Sequence, residues 1–392
     1  MRTLFVALTI LFTSHVSIAS IDITVEEIRL YKADDVIPEI VNRYDSTVNS
    51  FITDYRNADS FEAAKKITQK HSQALWTTAT KDLQQTPSSF DDRPLYWARL
   101  KMSKAVHLGK SGQSFSRDQI NQLVAIIDQA SRGYSDINFK ADSDIKILIT
   151  GFDPFLLDRN IKQSNPSGVA ALWLDNKIIE KDGKTIEIQA AMFPVKYQDF
   201  DDGIVEKVTE PFLKNNSIDM LATISMGREH FDLEHFPGRR RSASAPGNNN
   251  MHSGGSRTNP VIPKLGNKPL QGPEFVEYTL PYEAMMQTKG KYKINDRRQV
   301  TTLDKTFNPD SLQELEGAIA VEGGGGGYLS NEISYRTVLL GNKLGTTVPT
   351  GHIHAPRIKS FDKEVIQEIV EQIQRMLVNG VSPTSQSPQP QE

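Results

Sequence analysis

Ile145-Lys-Ile-Leu-Ile-Thr-Gly-Phe-Asp-Pro-Phe155 is the stretch on which the reading of the fold turns. Residues 145–150 form a short, β-branched apolar run, and Gly-Phe-Asp-Pro breaks it with a turn, so the segment reads as a buried strand. The same grammar continues downstream. Residues 185–194 and 218–225 read as further strands, 203–213 as a helix and 318–321 as a short apolar strand. Residues 330–344 read as a helix, 347–354 as extended chain and 361–377 as a strongly amphipathic closing helix. Strands alternating with helices predict an α/β domain, taken as residues 142–380, with a mainly parallel sheet covered by helices on both faces. Gly238 to Asn259, rich in Gly, Ser, Arg and Asn, reads as an exposed loop.

Upstream the period changes. Residues 21–141 read as mostly helical: Val36, Ile37, Ile40 and Val41 recur at helical spacing, and Val48, Phe51 and Ile52 continue the stripe. Helices are expected over 61–83 and 94–108. A further one starts at a Ser116 cap, with Ile120, Leu123, Val124 and Ile127 on its apolar face and Gly133 just past its end. This region carries no chemical motif and reads as a packing or partner-binding module. Residues 1–20 combine Arg2, a short apolar run from Leu4 to Phe12 and small residues at Ser17-Ile-Ala19, the pattern of a secretory signal; an uncleaved N-terminal anchor is the alternative. The tail, 381–392, is rich in Pro, Ser and Gln and is expected to be disordered.

The chain has 392 residues and a formal net charge of −3, which argues against a nucleic-acid or polybasic membrane partner. It has no cysteine. Disulfides, zinc–thiolate ligation and thiol nucleophiles are therefore excluded.

In open α/β sheets, ligands gather outside the carboxyl ends of the strands. Four segments are expected there: 151–155, 227–234, 323–330, and the pair His352 and His354. Gly323 to Gly327 lead through Tyr328 into Ser330 at the start of a helix, where backbone N–H groups suit an anion or oxyanion. Ser330 as helix cap, as nucleophile, or as part of a phosphate-binding loop all remain open from local sequence. Alternation places His352 and His354 on one face of a strand. They could serve a metal site with His230 or His235, or supply one catalytic base. Glu234 lies beside His235 in what reads as a polar loop.

Taken in order, these pieces resemble pyrrolidone-carboxylate peptidase, also called pyroglutamyl peptidase I. The resemblance rests on Gly151-Phe-Asp-Pro-Phe155, Asn165-Pro-Ser167, Gly272-Pro273, Thr279-Leu-Pro281, Gly326-Gly-Tyr-Leu-Ser-Asn331 and Ile353-His-Ala-Pro356. It implies an α/β/α sandwich and a cofactor-free, metal-free exopeptidase that removes N-terminal pyroglutamate from peptides. Ser330 falls on that family's nucleophilic cysteine, His354 on its histidine and Glu234 on its glutamate. Phe152, Phe155 and Tyr328 fall on aromatic positions around the pyroglutamyl ring, and the backbone about Gly326, Gly327 and Asn331 on the oxyanion site. Ser244 stands where the family has an arginine, for which Arg239, Arg240 and Arg241 are the nearest substitutes, and His352 stands where it usually has an aromatic residue. The expectation is an exported, periplasmic or secreted, hydrolase with a Ser-His-Glu triad acting on a peptide, with self-association of the kind common in the family and no membrane span once the signal is removed. A silent binding protein for a peptide or cell-wall fragment is the alternative.

Overall fold

A computed structural model describes residues 23–85, 89–109 and 115–381. The expected signal segment and the Pro/Ser/Gln tail lie outside the described residues, apart from Val381. Six helices come first: α1 (Val25–Val36), α2 (Pro38–Val41), α3 (Asp45–Asn57), α4 (Phe61–Gln85), α5 (Arg93–Leu108) and α6 (Arg117–Ala130). Thr24 with Glu27, and Ser116 with Gln119, form capping boxes that satisfy otherwise orphaned N–H groups at the starts of α1 and α6. The apolar stripe from Val36 to Ile52 is divided among three helices because Pro38 starts a new one.

The α/β region follows as β1 (Ile145–Phe152), α7 (Pro166–Leu174), β2 (Lys177–Lys181), β3 (Lys184–Phe193), α8 (Tyr197–Asp201), α9 (Ile204–Lys214), β4 (Met220–Met226) and β5 (Phe231–Glu234). A small ribbon, β6 (Lys264–Leu265) and β7 (Lys268–Pro269), precedes α10 (Tyr282–Met286), β8 (Ile294–Arg297), β9 (Val300–Thr302), β10 (Thr306–Phe307) and β11 (Ala320–Glu322). The region closes with α11 (Leu329–Leu344), β12 (Thr350–Ala355) and α12 (Lys363–Val381). The main sheet has seven strands in the order β2-β3-β1-β4-β12-β5-β8. β3, β1, β4 and β12 are mutually parallel, whereas β2 and the β5–β8 pair run against them. β1 reads as an almost unbroken apolar run because it is buried on both faces.

One face of the sheet packs on α7 and α12, and the N-terminal helices join the same core, with Leu75, Trp76, Leu123 and Ile127 in one cluster with Ile147, Ile149 and Ile373. Trp76 Nε1 donates to Asp175 Oδ2 at 3.0 Å. The other face packs on α9 and α11, where Phe193, Phe200, Val205, Leu329 and Ile333 meet. The result is the expected sandwich preceded by a mainly helical region.

Three expectations are corrected. The segment 318–321 does not join the main sheet: its strand, β11, pairs antiparallel with β9 in a separate three-stranded sheet. The place beside β12 is taken by β5, with Ile353 opposite Leu233. Glu234 therefore sits on a buried strand rather than in a polar loop. Finally, only the far part of 238–259 is largely exposed; Gly238, Arg241, Ser242, Gly247 and Asn248 are buried against the body of the domain.

Candidate active site

β4, β12 and β5 lie side by side and carry the polar cluster. Thr223 and Ser225 on β4 stand beside His352 and His354 on β12 in parallel register, and Glu234 ends β5. Each is buried in an otherwise apolar setting, so their bonding decides what they can do.

His354 Nδ1 lies 2.9 Å from Glu234 Oε1, an ion-pair contact. Beyond that contact, the nitrogens of His354 and the oxygens of Glu234 are buried without a hydrogen-bond partner among the described residues. Burial disfavours the charged carboxylate of Glu234, but the His354 ring at 2.9 Å and the nearby Arg228 outweigh it and hold the carboxyl below its usual range. Two glycines permit this approach. A Cβ on Gly325 would overlap the Glu234 carboxylate, and one on Gly227 would lie 2.7 Å from Cβ and Cγ of His354.

His352 is held differently. Nδ1 is 2.7 Å from Thr223 Oγ1, and Nε2 is 2.7 Å from Ser225 Oγ. Its Nε2 lies 3.8 Å from Glu234 Oε1. Burial pushes its pKa down to about 3, so the ring is neutral at neutral pH.

Ser330 is the second residue of α11, and Tyr328, not Ser330, occupies the N-cap position without a side-chain cap bond. Capping by Ser330 is thus ruled out. The first α11 amide to bond back is that of Glu332, to the Tyr328 carbonyl, so the N–H groups of Leu329, Ser330 and Asn331 have no partner within the helix. Ser330 Oγ donates a long, 3.4 Å bond to the Gly325 carbonyl and is not bonded to His354.

The glycine run folds into a tight turn in which the Gly323 and Gly326 amides each donate to the other's carbonyl. Gly326, at φ +92°, needs glycine's freedom there. Its N–H is consumed by this turn and is not available to an oxyanion. The Gly327 carbonyl accepts from Ser242 and Ala243, and Asn331 brackets Gly238, accepting from its N–H and donating to its carbonyl. The Asn331 side chain is therefore structural.

A cavity of about 30 Å³ adjoins Ser330 and is lined by Phe152, Phe155, Asn165, Ser225, Tyr328 and others. All three expected aromatics converge there. Phe152 stacks on Phe200, and Phe155 lies 6.3 Å from the Tyr328 ring. At this size the cavity has room for one or two waters, less than a five-membered ring occupies. Tyr328 is tied to the Pro246 carbonyl through its hydroxyl. The N-terminal helices reach the same place. Arg99 and Arg132 grip Asp153 at 2.8 and 2.6 Å, and Asp92 accepts from Ser164 and from the Asn165 amide.

The three candidate arginines are all engaged elsewhere: Arg239 with the Leu270 carbonyl, Arg240 with Glu274, and Arg241 with Glu332. His235 bonds Asp296 and Glu277, so it does not join the two β12 histidines. Sequence reasoning missed Thr223 and Ser225. Their signal was two hydroxyls two residues apart on a strand otherwise composed of Met, Leu, Ala and Ile.

Comparison with known proteins places the chain. The family model described as "PA0049, C-terminal domain" matches residues 146–272 and 276–359, and "PA0049 N-terminal domain" matches residues 13–128. The chain belongs to the PA0049 family. Uncharacterized protein PA0049 of Pseudomonas aeruginosa is 26% identical over 397 residues, covering 77% of this chain and 71% of that one. Among solved structures, a mutant pyrrolidone carboxyl peptidase from the hyperthermophile Pyrococcus furiosus is similar at 20% identity and TM-score 0.40, covering 60% of this chain and 98% of its own. Crystal structures of pyrrolidone carboxyl peptidase from the same organism, with its cys-free mutant, give 19% identity, the same coverages and the same score.

Proposed function

We propose that the chain is a hydrolase of peptide amide bonds, acting at the Ser330–His354–Glu234 cluster on an N-terminal pyroglutamyl or related residue. The observation that carries this reading is the buried Glu234–His354 pair, 2.9 Å apart at the carboxyl end of β12, with His354 in register with Ser225, which lines an aromatic cavity together with Ser330. In the reaction, Ser330 Oγ attacks the carbonyl carbon while His354 takes the hydroxyl proton. The tetrahedral intermediate collapses as His354 returns that proton to the leaving amine, and water then releases the acyl group by the same steps in reverse. Glu234 orients His354 and stabilises its charged form. The N–H groups of the first turn of α11 receive the oxyanion. A serine must be deprotonated during attack, so Ser330 has to swing from the Gly325 carbonyl towards His354 Nε2 when substrate binds; catalytic hydrogen bonds commonly tighten only then. The proposal includes export of the chain, through its N-terminal signal, to the periplasm or medium.

A second reading is favoured by a specific observation: Ser330 bonds to the Gly325 carbonyl and His354 Nε2 has no partner. On that reading the pocket binds a peptide end without turnover. Release of a fluorescent amine from a pyroglutamyl amide separates the two. The hydrolase reading expects turnover that Ser330→Ala abolishes. Absence of turnover together with calorimetric binding of the same amide establishes the silent pocket instead.

A further inference from the structure

We infer that Glu234, His352 and His354 form a binding site for one divalent transition-metal ion of the zinc class. One ligand atom from each of the three lies within 4.8 Å of the others. Two ligands of a single zinc ion, each at about 2.0–2.2 Å, stand at most about 4.4 Å apart, so little movement is needed to close the set. Two imidazoles and a carboxylate suit zinc and its neighbours rather than magnesium or calcium, which prefer oxygen.

Two independent observations point to a ligand. The first is unmet bonding capacity. Glu234 and His354 are almost completely buried, yet beyond their mutual 2.9 Å contact none of their four polar atoms has a hydrogen-bond partner among the described residues. Such groups ordinarily find one. A cation between Glu234 Oε1 and His354 Nδ1 would satisfy both.

The second is the preset tautomer of His352. Thr223 Oγ1 lies 3.2 Å from the Gly351 carbonyl, to which it donates. With its one proton given to that carbonyl, it accepts from His352 Nδ1–H at 2.7 Å. The lone pair of His352 is then on Nε2, 3.8 Å from Glu234 Oε1, where it accepts from Ser225 Oγ–H at 2.7 Å; an ion entering the site takes the place of that hydroxyl. A ligating histidine whose other N–H is held by a hydrogen bond is the usual arrangement around protein metals.

The site shares His354 and Glu234 with the proposed hydrolase, but the inference does not rest on Ser330. It does imply a relation between the two. With the ion on His354 Nδ1, the neutral ring carries its proton on Nε2 and has no lone pair left for the Ser330 proton. An occupied site therefore switches the serine route off.

The test is titration of the chelator-stripped full chain with zinc chloride against a chromophoric competitor, alongside His352→Gln, Glu234→Gln, Thr223→Val and Ser330→Ala, with folding of each checked by circular dichroism. One equivalent is expected to bind. Affinity should fall at least ten-fold in His352→Gln and Glu234→Gln, and by ten- to hundred-fold in Thr223→Val, whose hydroxyl only orients His352. Ser330→Ala should bind zinc as the parent does, whether or not the parent hydrolyses anything. X-ray absorption of the loaded parent should show two imidazoles and oxygen. One-equivalent binding undiminished in His352→Gln and Glu234→Gln, or no one-equivalent binding in the parent, overturns the site.

Discussion

Replacing Asp92 with asparagine should flatten the pH dependence of stability. Asp92 begins α5 and is fully buried; its carboxyl accepts from Ser164 Oγ at 2.6 Å and from the Asn165 amide. Burial pushes its pKa up to about 8, with the neighbouring Asp91 charge adding to the rise. The folded value is raised above the unfolded one, so the sign is fixed. Below pH 3.8 both states hold the proton and the group costs nothing. Between 3.8 and about 8 the unfolded chain releases a proton that the native chain keeps, and stability falls as pH rises. One pKa unit corresponds to about 1.4 kcal/mol, so by pH 7 the loss is on the order of 4 kcal/mol. Asparagine keeps the shape and does not titrate. In urea unfolding followed by the fluorescence of the chain's three tryptophans, Asp92→Asn should gain on the parent steadily from pH 4 to pH 7. The gain should level off above pH 8. Parallel stability curves for the two proteins over that range would refute the reasoning.

Arg132→Met should destabilise the fold by about 3–5 kcal/mol in the same urea assay, because it leaves the buried carboxylate of Asp153 with Arg99 alone. Gly325→Ala should cost about 1–3 kcal/mol of stability and leave the chain folded, because the added methyl crowds the buried Glu234 carboxylate. It should lower kcat/KM on a pyroglutamyl amide by on the order of 100-fold, since the added methyl displaces the Glu234 carboxylate that orients His354.

Much of the α/β core was legible because buried parallel strands leave continuous apolar runs. Ile145–Thr150 and Ile218–Ser225 mark β1 and β4 almost to the residue. Ser116 and Gly133 bracketed α6 for the same kind of reason, a capping hydroxyl before it and a glycine after it. β5 was hidden because four residues with two acids, Asp232 and Glu234, carry too little apolar signal to read as a buried strand. That one omission misplaced Glu234 in a loop. The meeting of Ser330 with Phe152, Phe155 and Tyr328 around one cavity follows from strand order and was foreseeable only through the resemblance. The orientation of Ser330, the loss of the Gly326 N–H to a turn, and the Thr223–His352–Ser225 chain depend on side-chain and backbone angles that residue order does not encode. The role of the helical region was equally invisible. Arg99, Arg132 and Asp92 look like ordinary helix-surface charges, yet they are buried and hold Asp153 and Asn165 behind the cavity.

The central claim is that Ser330 carries the acyl group. The most direct measurement is intact-protein mass spectrometry after brief mixing with an activated pyroglutamyl ester and acid quench. If Ser330 is the nucleophile, the parent gains the mass of one pyroglutamyl group, mapped by fragmentation to Ser330, and Ser330→Ala gains none. An unmodified parent, or an adduct that persists in Ser330→Ala, would contradict it.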